Sequence, residues 1–518
     1  MNRLSKYLPL FVSLILYVFL WIILQPVLGY NLDSDCVSYL TIAERVAKGE
    51  YFKSINGLWS PLNSWLVALM IKNGFDGWSA AKYLNLIFGA ILLVQGYFLF
   101  LKFNLNRHLV FYLQIALGIA MVYFVYFQMF GDILQLIFVF MYLFVLWQHS
   151  GRPISYTKAV VCGLIMGIAF YAKAYSFFFF ALHFLATLLW YAYKRKMELK
   201  SIIPVYIAGL FFAILTMLPW TFALHKKYNE WSLNGHAGKL NMSWYINSGK
   251  SFKSDIRLLI PPAYDDSPSF WEDPYLSQEN LNSPFTSAVH FAKWTLRIMH
   301  TCIVAVFCFQ EISFLGLAIL LISVFYYFFV KKRDNATEHD FSVQLLSITI
   351  CVLPSGYLMM HIETRYIWLN VFLLMLLGAI LLESALKAVA SGLWKHIMYF
   401  ILAFSFVLFP LFQFENLKHK NEDLFQTSAE LNANSIRGKF TSNVSDAGRM
   451  WVIAYLTRSN FYTIEKSGYS HQELINEMKR YNVKYYFYES ENNVLQTQPD
   501  GMKKIMTYNN LQIFERTD

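Results

Sequence analysis

Charge is scarce in this sequence: Asp, Glu, Lys and Arg make up 15% of 518 residues, against 57% apolar and 18% aromatic. A soluble domain carries nearer a quarter charged residues, so the balance excludes an ordinary soluble enzyme and points to lipid as solvent. Cysteine is sparse as well. The five (Cys36, Cys162, Cys302, Cys308, Cys351) lie mostly in apolar segments without metal-ligand spacing, which argues against a disulfide or zinc framework. His236, His290 and His300 show no metal spacing. Residues 234–239 look like a phosphate loop, but their spacing is wrong and no Ser or Thr follows Lys239. Repeats and low-complexity segments are absent. The net charge of +10 does not make nucleic acid a partner, because most basic residues lie in short tracts between apolar blocks.

Those blocks are what the sequence does have. Each is about twenty residues long, enough to cross a hydrocarbon core of roughly 30 Å. Residues 8–30 are too long for a signal-peptide core and read as an uncleaved first span. Further spans fall at 79–101, 108–130 and 132–148. The apolar run 157–193 must cross twice, with its turn at 172–175. The next span, 202–224, ends at Pro219-Trp220, and the last four lie at 312–330, 341–360, 366–384 and 393–413. Residues 286–309 carry His290, Lys293, Arg297 and His300 at helical spacing among apolar residues and read as an interfacial amphipathic helix. The count is therefore about eleven spans, and up to thirteen if further segments insert.

Basic residues set the orientation. Arg3/Lys6, Lys102/Arg107, Arg152/Lys158, Lys194/Arg195/Lys196/Lys200, Lys331/Lys332/Arg333 and Lys387/Lys395 fall on alternate turns, which places the N-terminus and all these tracts in the cytoplasm. The outer side then receives loops 31–78 and 225–308 and the tail 415–518. The expected protein is a multi-pass plasma (inner) membrane protein with an all-α polytopic core over 1–414. Residues 415–518 form a small α/β domain outside, periplasmic or extracellular. In the first loop, 37–47 and 61–71 read as surface helices. In the tail, strands at 438–441, 461–464, 483–489 and 511–515 alternate with helices at 449–456 and 471–480, giving a mostly parallel sheet.

Ionisable residues beside lipid are costly and usually purposeful. On this topology they gather on the outer side: Asp33 and Asp35 after the first span, Asp132 after Gly131 at one turn, Lys173 with Tyr175 at the next, and His361, Glu363, Arg365 and Tyr366 at a third. Carboxylates with cations at a water interface suit group transfer. A carboxylate orients or deprotonates an acceptor hydroxyl, and Lys and Arg neutralise a phosphate leaving group. A lipid-linked phosphate donor would sit at this depth with its tail between spans. No metal ligand set is legible; a divalent cation is compatible with the carboxylates, and no other cofactor is implied.

The motifs around these residues resemble those of the GT-C membrane glycosyltransferases, in the branch with protein O-mannosyltransferases and lipid A aminoarabinose transferases. Asp35-Cys36-Val37-Ser38-Tyr39-Leu40 resembles that family's first-loop motif, and Gly57-Leu58-Trp59-Ser60-Pro61 its following turn. Phe130-Gly131-Asp132-Ile133-Leu134 resembles the second acidic site, and Gly163 through Gly167 to Lys173 the glycine-rich span ending in Lys. Leu218-Pro219-Trp220 and Glu363-Thr364-Arg365-Tyr366 resemble two later landmarks. The order of these motifs extends over residues 1–385. It departs at Cys36, where Glu often follows the Asp; Asp33 is the remaining nearby acid. The resemblance implies transfer of a sugar from a polyprenyl phosphate or diphosphate to a glycan, lipid or protein on the outer face, with inversion at the anomeric carbon. Asp35 would be the base or acceptor-orienting group, with Asp33 or Asp132 assisting. Lys173 and Arg365 would hold the phosphate, with Tyr175, Tyr366, Glu363, His361 and Trp59 lining the site. Two rivals remain: a polysaccharide polymerase or ligase, and a lipid or glycan transporter. Midplane charges and repeats, which a transporter tends to show, are not found.

Overall fold

The computed structural model describes residues 3–127, 131–147, 154–195, 198–232, 236–246, 258–277, 281–330, 338–387, 392–464, 468–489 and 501–517. Phe130, Arg152, Lys196, Asn234, Gly235, Lys331, Lys332 and Arg333 lie outside them. Among the described residues, nine helices are long and apolar enough to cross a membrane. Three shorter apolar helices, Asp132–Trp147, Tyr156–Ala172 and Gly316–Phe329, accompany them. The chain is thus a multi-pass membrane protein with an all-α core. Trp147, Trp368, Tyr97 and Tyr142 are fully buried within it. Ile15, Phe19 and Ile22 of the first helix stay exposed, as residues facing hydrocarbon do.

Small residues set the closest helix approach. Gly163 and Gly167 on Tyr156–Ala172 lie against Gly209, Ala213 and Thr216 on Leu199–Tyr228, and a Cβ on Gly163 would overlap the Gly209 carbonyl. This is how helices pack where burial from water supplies no drive. The turn between Tyr156–Ala172 and Tyr175–Arg195 falls at Lys173 and Ala174, as the sequence predicts. The helix expected to end at Pro219-Trp220 instead runs on to Tyr228. Pro219 removes a single donor, and the last turn is held by Lys227 and Tyr228 binding Asp273.

The segment expected as a surface helix over 286–309 is one helix, Ala288–Ile312, long and apolar enough to cross a bilayer. Its polar contacts describe how it lies. Trp294 and Arg297 donate to the carbonyls of Met359 and Met360, and Glu311 accepts from the Thr364 hydroxyl. Both ends of that stretch therefore hold the same short turn, the contact pattern of a helix lying alongside it.

At the same end of the bundle, the two first-loop helices form at Ser34–Lys48 and Pro61–Lys72. The sheet contains β1 (Leu259–Ile260), β2 (Lys439–Ser442), β3 (Asn460–Ile464), β4 (Tyr485–Glu489), β5 (Met502–Tyr508) and β6 (Leu511–Arg516), in the order β1-β3-β2-β4-β6-β5. The mostly parallel sheet expected from the alternation of strands and helices is corrected to a mixed one. Only β2–β3 and β2–β4 are parallel; β1–β3, β4–β6 and β5–β6 are antiparallel. Two devices cause this. A tight turn with Asn509 at φ 51° folds β5 onto β6, and a hairpin can only be antiparallel. The middle loop meanwhile lends β1 to the edge of the tail sheet. One hydrophobic core joins all three pieces: Val37, Leu40 and Ala43 of the first loop, Phe270 of the middle loop, and Phe440, Met450 and Ile453 of the tail.

Candidate active site

Helix Ser34–Lys48 begins the site. Asp33 is its N-cap, and its side chain accepts from the Cys36 N–H at 2.7 Å, satisfying one of the orphan donors of the first turn. Asp35, two residues on, is free of that duty and faces other elements. Its Oδ1 accepts from the Trp271 indole N–H at 3.2 Å, and its Oδ2 lies 3.8 Å from Arg365 Nη2. Burial raises the Asp35 carboxyl, the charge of Asp33 adds to the rise, and Arg365 and Trp271 oppose it, leaving it at about 6. From sequence, the helix N-terminus would keep this group ionised and a modest base. Loss of solvent lifts the carboxyl above its ordinary value while leaving it mostly ionised at neutral pH.

Arg365 stands on the single-turn helix Thr364–Ile367. Its Nε is 2.6 Å from Glu363 Oε2, charge against charge without an aligned hydrogen bond, and its Nη2 donates to the Tyr366 hydroxyl at 3.2 Å. Glu363 is half-buried, which works to raise it, but the His361 hydrogen bond (2.7 Å) and Arg365 outweigh that and hold it at about 2. His361 Nδ1 faces Arg297 Nη2 at 3.0 Å. A guanidinium can only donate, so Nδ1 accepts and the proton on Nε2 points at Glu363.

Lys173 and Asp132 form an ion pair beside this turn. Gly131 (φ +60°) makes the pair possible, since a Cβ there would sit 3.2 Å from the Tyr39 hydroxyl in a backbone region that favours glycine. Lys173 Nζ lies 4.1 Å from the centre of the Tyr366 ring and 5.5 Å from that of Tyr357. Below them Tyr366 stacks on Tyr357, and Tyr357 on Tyr175, at 4.6 and 3.8 Å between ring centres. The Tyr175 hydroxyl is taken by the Leu353 carbonyl and the Gly356 N–H, so Tyr175 supports the column through its ring. Trp59 is likewise engaged, its indole N–H donating to the Trp271 carbonyl at 3.2 Å and its ring against Tyr39.

The structure thus brings Asp35, Arg365, Glu363, His361 and Tyr366 together, with Lys173 and Asp132 adjoining. Sequence reasoning missed Trp271 and placed Arg297 only on an amphipathic face. It also missed a second charged cluster. Arg45, 2% exposed, binds buried Glu272 by two nitrogens and also Asp266, Glu50 and Ser267. Fully buried Asp273 takes Lys227 at 2.7 Å and the Tyr228 hydroxyl at 2.9 Å. The acid-rich string Trp271-Glu272-Asp273 was the available signal, since adjacent carboxylates inside an aromatic loop require cationic partners. Each acid of the site except the helix cap is already set against a cation of the chain, and no group of three or more His, Cys, Asp and Glu side chains among the described residues is arranged to hold a metal ion.

No protein-family model matches this chain, and no curated protein matches its sequence. Solved structures do match. The chain is similar to ArnT from Cupriavidus metallidurans bound to undecaprenyl phosphate, with a TM-score of 0.53 at 10% identity, covering 97% of each chain. It is also similar to the Archaeoglobus fulgidus oligosaccharyltransferase solved with Zn and sulfate, with a TM-score of 0.53 at 11% identity, covering 88% of this chain. This chain spans 64% of that oligosaccharyltransferase. The fold is GT-C, as the motif order implies.

Proposed function

We propose that this protein is a glycosyltransferase that moves a sugar from a polyprenyl phosphate or diphosphate to a glycan, lipid or protein acceptor on the outer face of the membrane. The observation that carries the reading is the pairing of Asp35, poised near 6, with Arg365 across an open 3.8 Å. A base and an anion-binding cation stand side by side at one end of a lipid-embedded core. In the step, an acceptor O–H or N–H attacks the anomeric carbon and its proton passes to Asp35. The bond from that carbon to the phosphate oxygen breaks, and its electron pair leaves with the phosphate. Arg365, already oriented by Glu363 and Tyr366, neutralises the charge that develops, with Lys173 adding to the field. Fixed charges in a partly dry site act without reorganising at the moment of reaction. The GT-C fold, and a fold relative captured with undecaprenyl phosphate, favour this donor class.

The test is a reconstitution. Proteoliposomes containing the purified protein, a labelled polyprenyl-phosphate sugar and a membrane extract as acceptor should release free polyprenyl phosphate on one side only. Arg365→Ala and Lys173→Ala should each reduce that release strongly at normal expression. Label that crosses the bilayer chemically unchanged would make the protein a transporter instead.

A further inference from the structure

Trp271 lies outside the spans and outside every motif of the sequence, yet its indole N–H donates to the Asp35 carboxylate. Its surroundings fix it from four directions. Its carbonyl accepts from the Trp59 indole at 3.2 Å and from the Ser38 hydroxyl at 3.0 Å, tying it to both sides of the first loop. The next two residues, Glu272 and Asp273, are locked into Arg45 and Lys227, and Glu272 also receives the Asn56 side chain on its carbonyl at 2.6 Å. Its ring stacks on Trp451 of the tail, 5.3 Å between centres at 21°. Trp451 Nε1 is buried without a hydrogen-bond partner among the described residues, so that side chain serves through its face.

We infer that Trp271 is a positioning residue for Asp35, set by the tail through Trp451, so that the tail domain controls the geometry of the catalytic carboxylate. This rests on the glycosyl-transfer reading for its kinetic consequence, but its structural content does not. An indole N–H is a donor only, so it can bond an ionised carboxylate and orients the lone pair left for the acceptor. It holds Oδ1, leaving Oδ2 toward Arg365. The other groups facing this carboxylate are Asp33 on its own helix, Arg365 and Glu363 on the neighbouring turn, with Tyr39 and Asp132 close behind. None of these can replace the lost N–H without moving.

Trp271→Phe keeps a ring for Trp451 and removes only the donor. It should move the acid limb of the kcat/KM profile upward by about one pH unit, as loss of a hydrogen bond to a charged group requires. Trp451→Ala should move it in the same direction, Trp451→Phe should not, and the double variant Trp271→Phe/Trp451→Ala should show no further shift. A Trp271→Phe enzyme slowed equally at every pH would reduce Trp271 to packing and overturn the inference. Infrared difference titration of the Asp35 carboxyl, assigned by its loss in Asp35→Asn, reads the same shift without turnover. If that shift appears while no sugar is transferred by the wild type, the positioning stands and the proposed function falls. An Asp35 band that titrates at the same pH in wild type and Trp271→Phe sinks the positioning alone.

Discussion

Two charged clusters lie near each other at one end of the helix bundle, built from the same residue types and put to opposite use. In the cluster of Arg45, Glu272, Lys227 and Asp273, acids and cations meet at hydrogen-bond distance and are almost entirely sealed from solvent. In the cluster of Asp35, Glu363 and Arg365, the Asp35 pair stays 3.8 Å apart and its carboxylate is partly exposed. The first arrangement satisfies its charges and holds three segments of chain together. The second leaves the Asp35–Arg365 pair open, with the carboxylate partly exposed, which is the condition for binding something else. Charge beside a membrane therefore does not mark a site; incomplete pairing does.

The comparison breaks if the two clusters respond alike to mutation. Arg45→Ala strands the buried Glu272, and removing one partner of a buried pair costs about 3–5 kcal/mol. It should give the largest effect, loss of monodisperse protein on size exclusion in detergent. A normal yield and melting temperature would mean that the sealed cluster is not structural. Next comes Asp35→Asn, expected to lower transfer by about 10²–10⁴-fold, the usual worth of a general base. Its melting temperature should not fall. The sign follows from linkage: the folded carboxyl titrates near 6, above its ordinary 3.8. Ionising it therefore erodes stability as pH rises through that window. Asparagine removes this loss above pH 6, so a marked drop in melting temperature would place Asp35 with the structural cluster.

The same shift sharpens the comparison through pH alone. Transfer should fall as pH drops below about 6, because the base becomes protonated. A rate flat from pH 5 to 8, with chemistry limiting, would remove Asp35 as the base. The smallest effect belongs to Asp33→Ala, which deletes one helix cap, worth about 1 kcal/mol. Activity should stay within a few-fold, measured beside Asp35→Asn in the same assay. If Asp33→Ala is inactive and Asp35→Asn is not, the roles of the two acids are exchanged.

What could be read from sequence follows the range of the forces involved. The first-loop helices were legible because periodicity and caps are local: Asp33 before Ser34–Lys48, Gly49 after it at φ 84°. The turn at Lys173 followed from the length of an apolar run. The tail strands β2, β3, β4 and β6 showed as apolar stretches, but β5 did not, since Lys503 and Lys504 give it the look of a loop and suit it to a sheet edge. Two-residue β1 carries no signal without its partner. At the site, Asp35, Lys173, Glu363 and Arg365 stood out as charges at span ends. Trp271 did not, because its partner Asp35 is remote in sequence and tryptophan is common here. That burial would raise the Asp35 carboxyl was likewise invisible, since burial is a property of the assembled loops.

The antiparallel pairing of Ile260 with Thr463 has a consequence in time. Synthesis runs from the N-terminus, so the middle loop is made long before β3 exists to receive it. Until the stretch from Trp451 to Ile464 has been made and folded, Trp271 lacks Trp451 and the loop lacks its strand partner. A ribosome that stalls before Trp451 would therefore leave a membrane-inserted chain in which Trp271, and with it the Asp35 carboxylate, lacks its support from the tail.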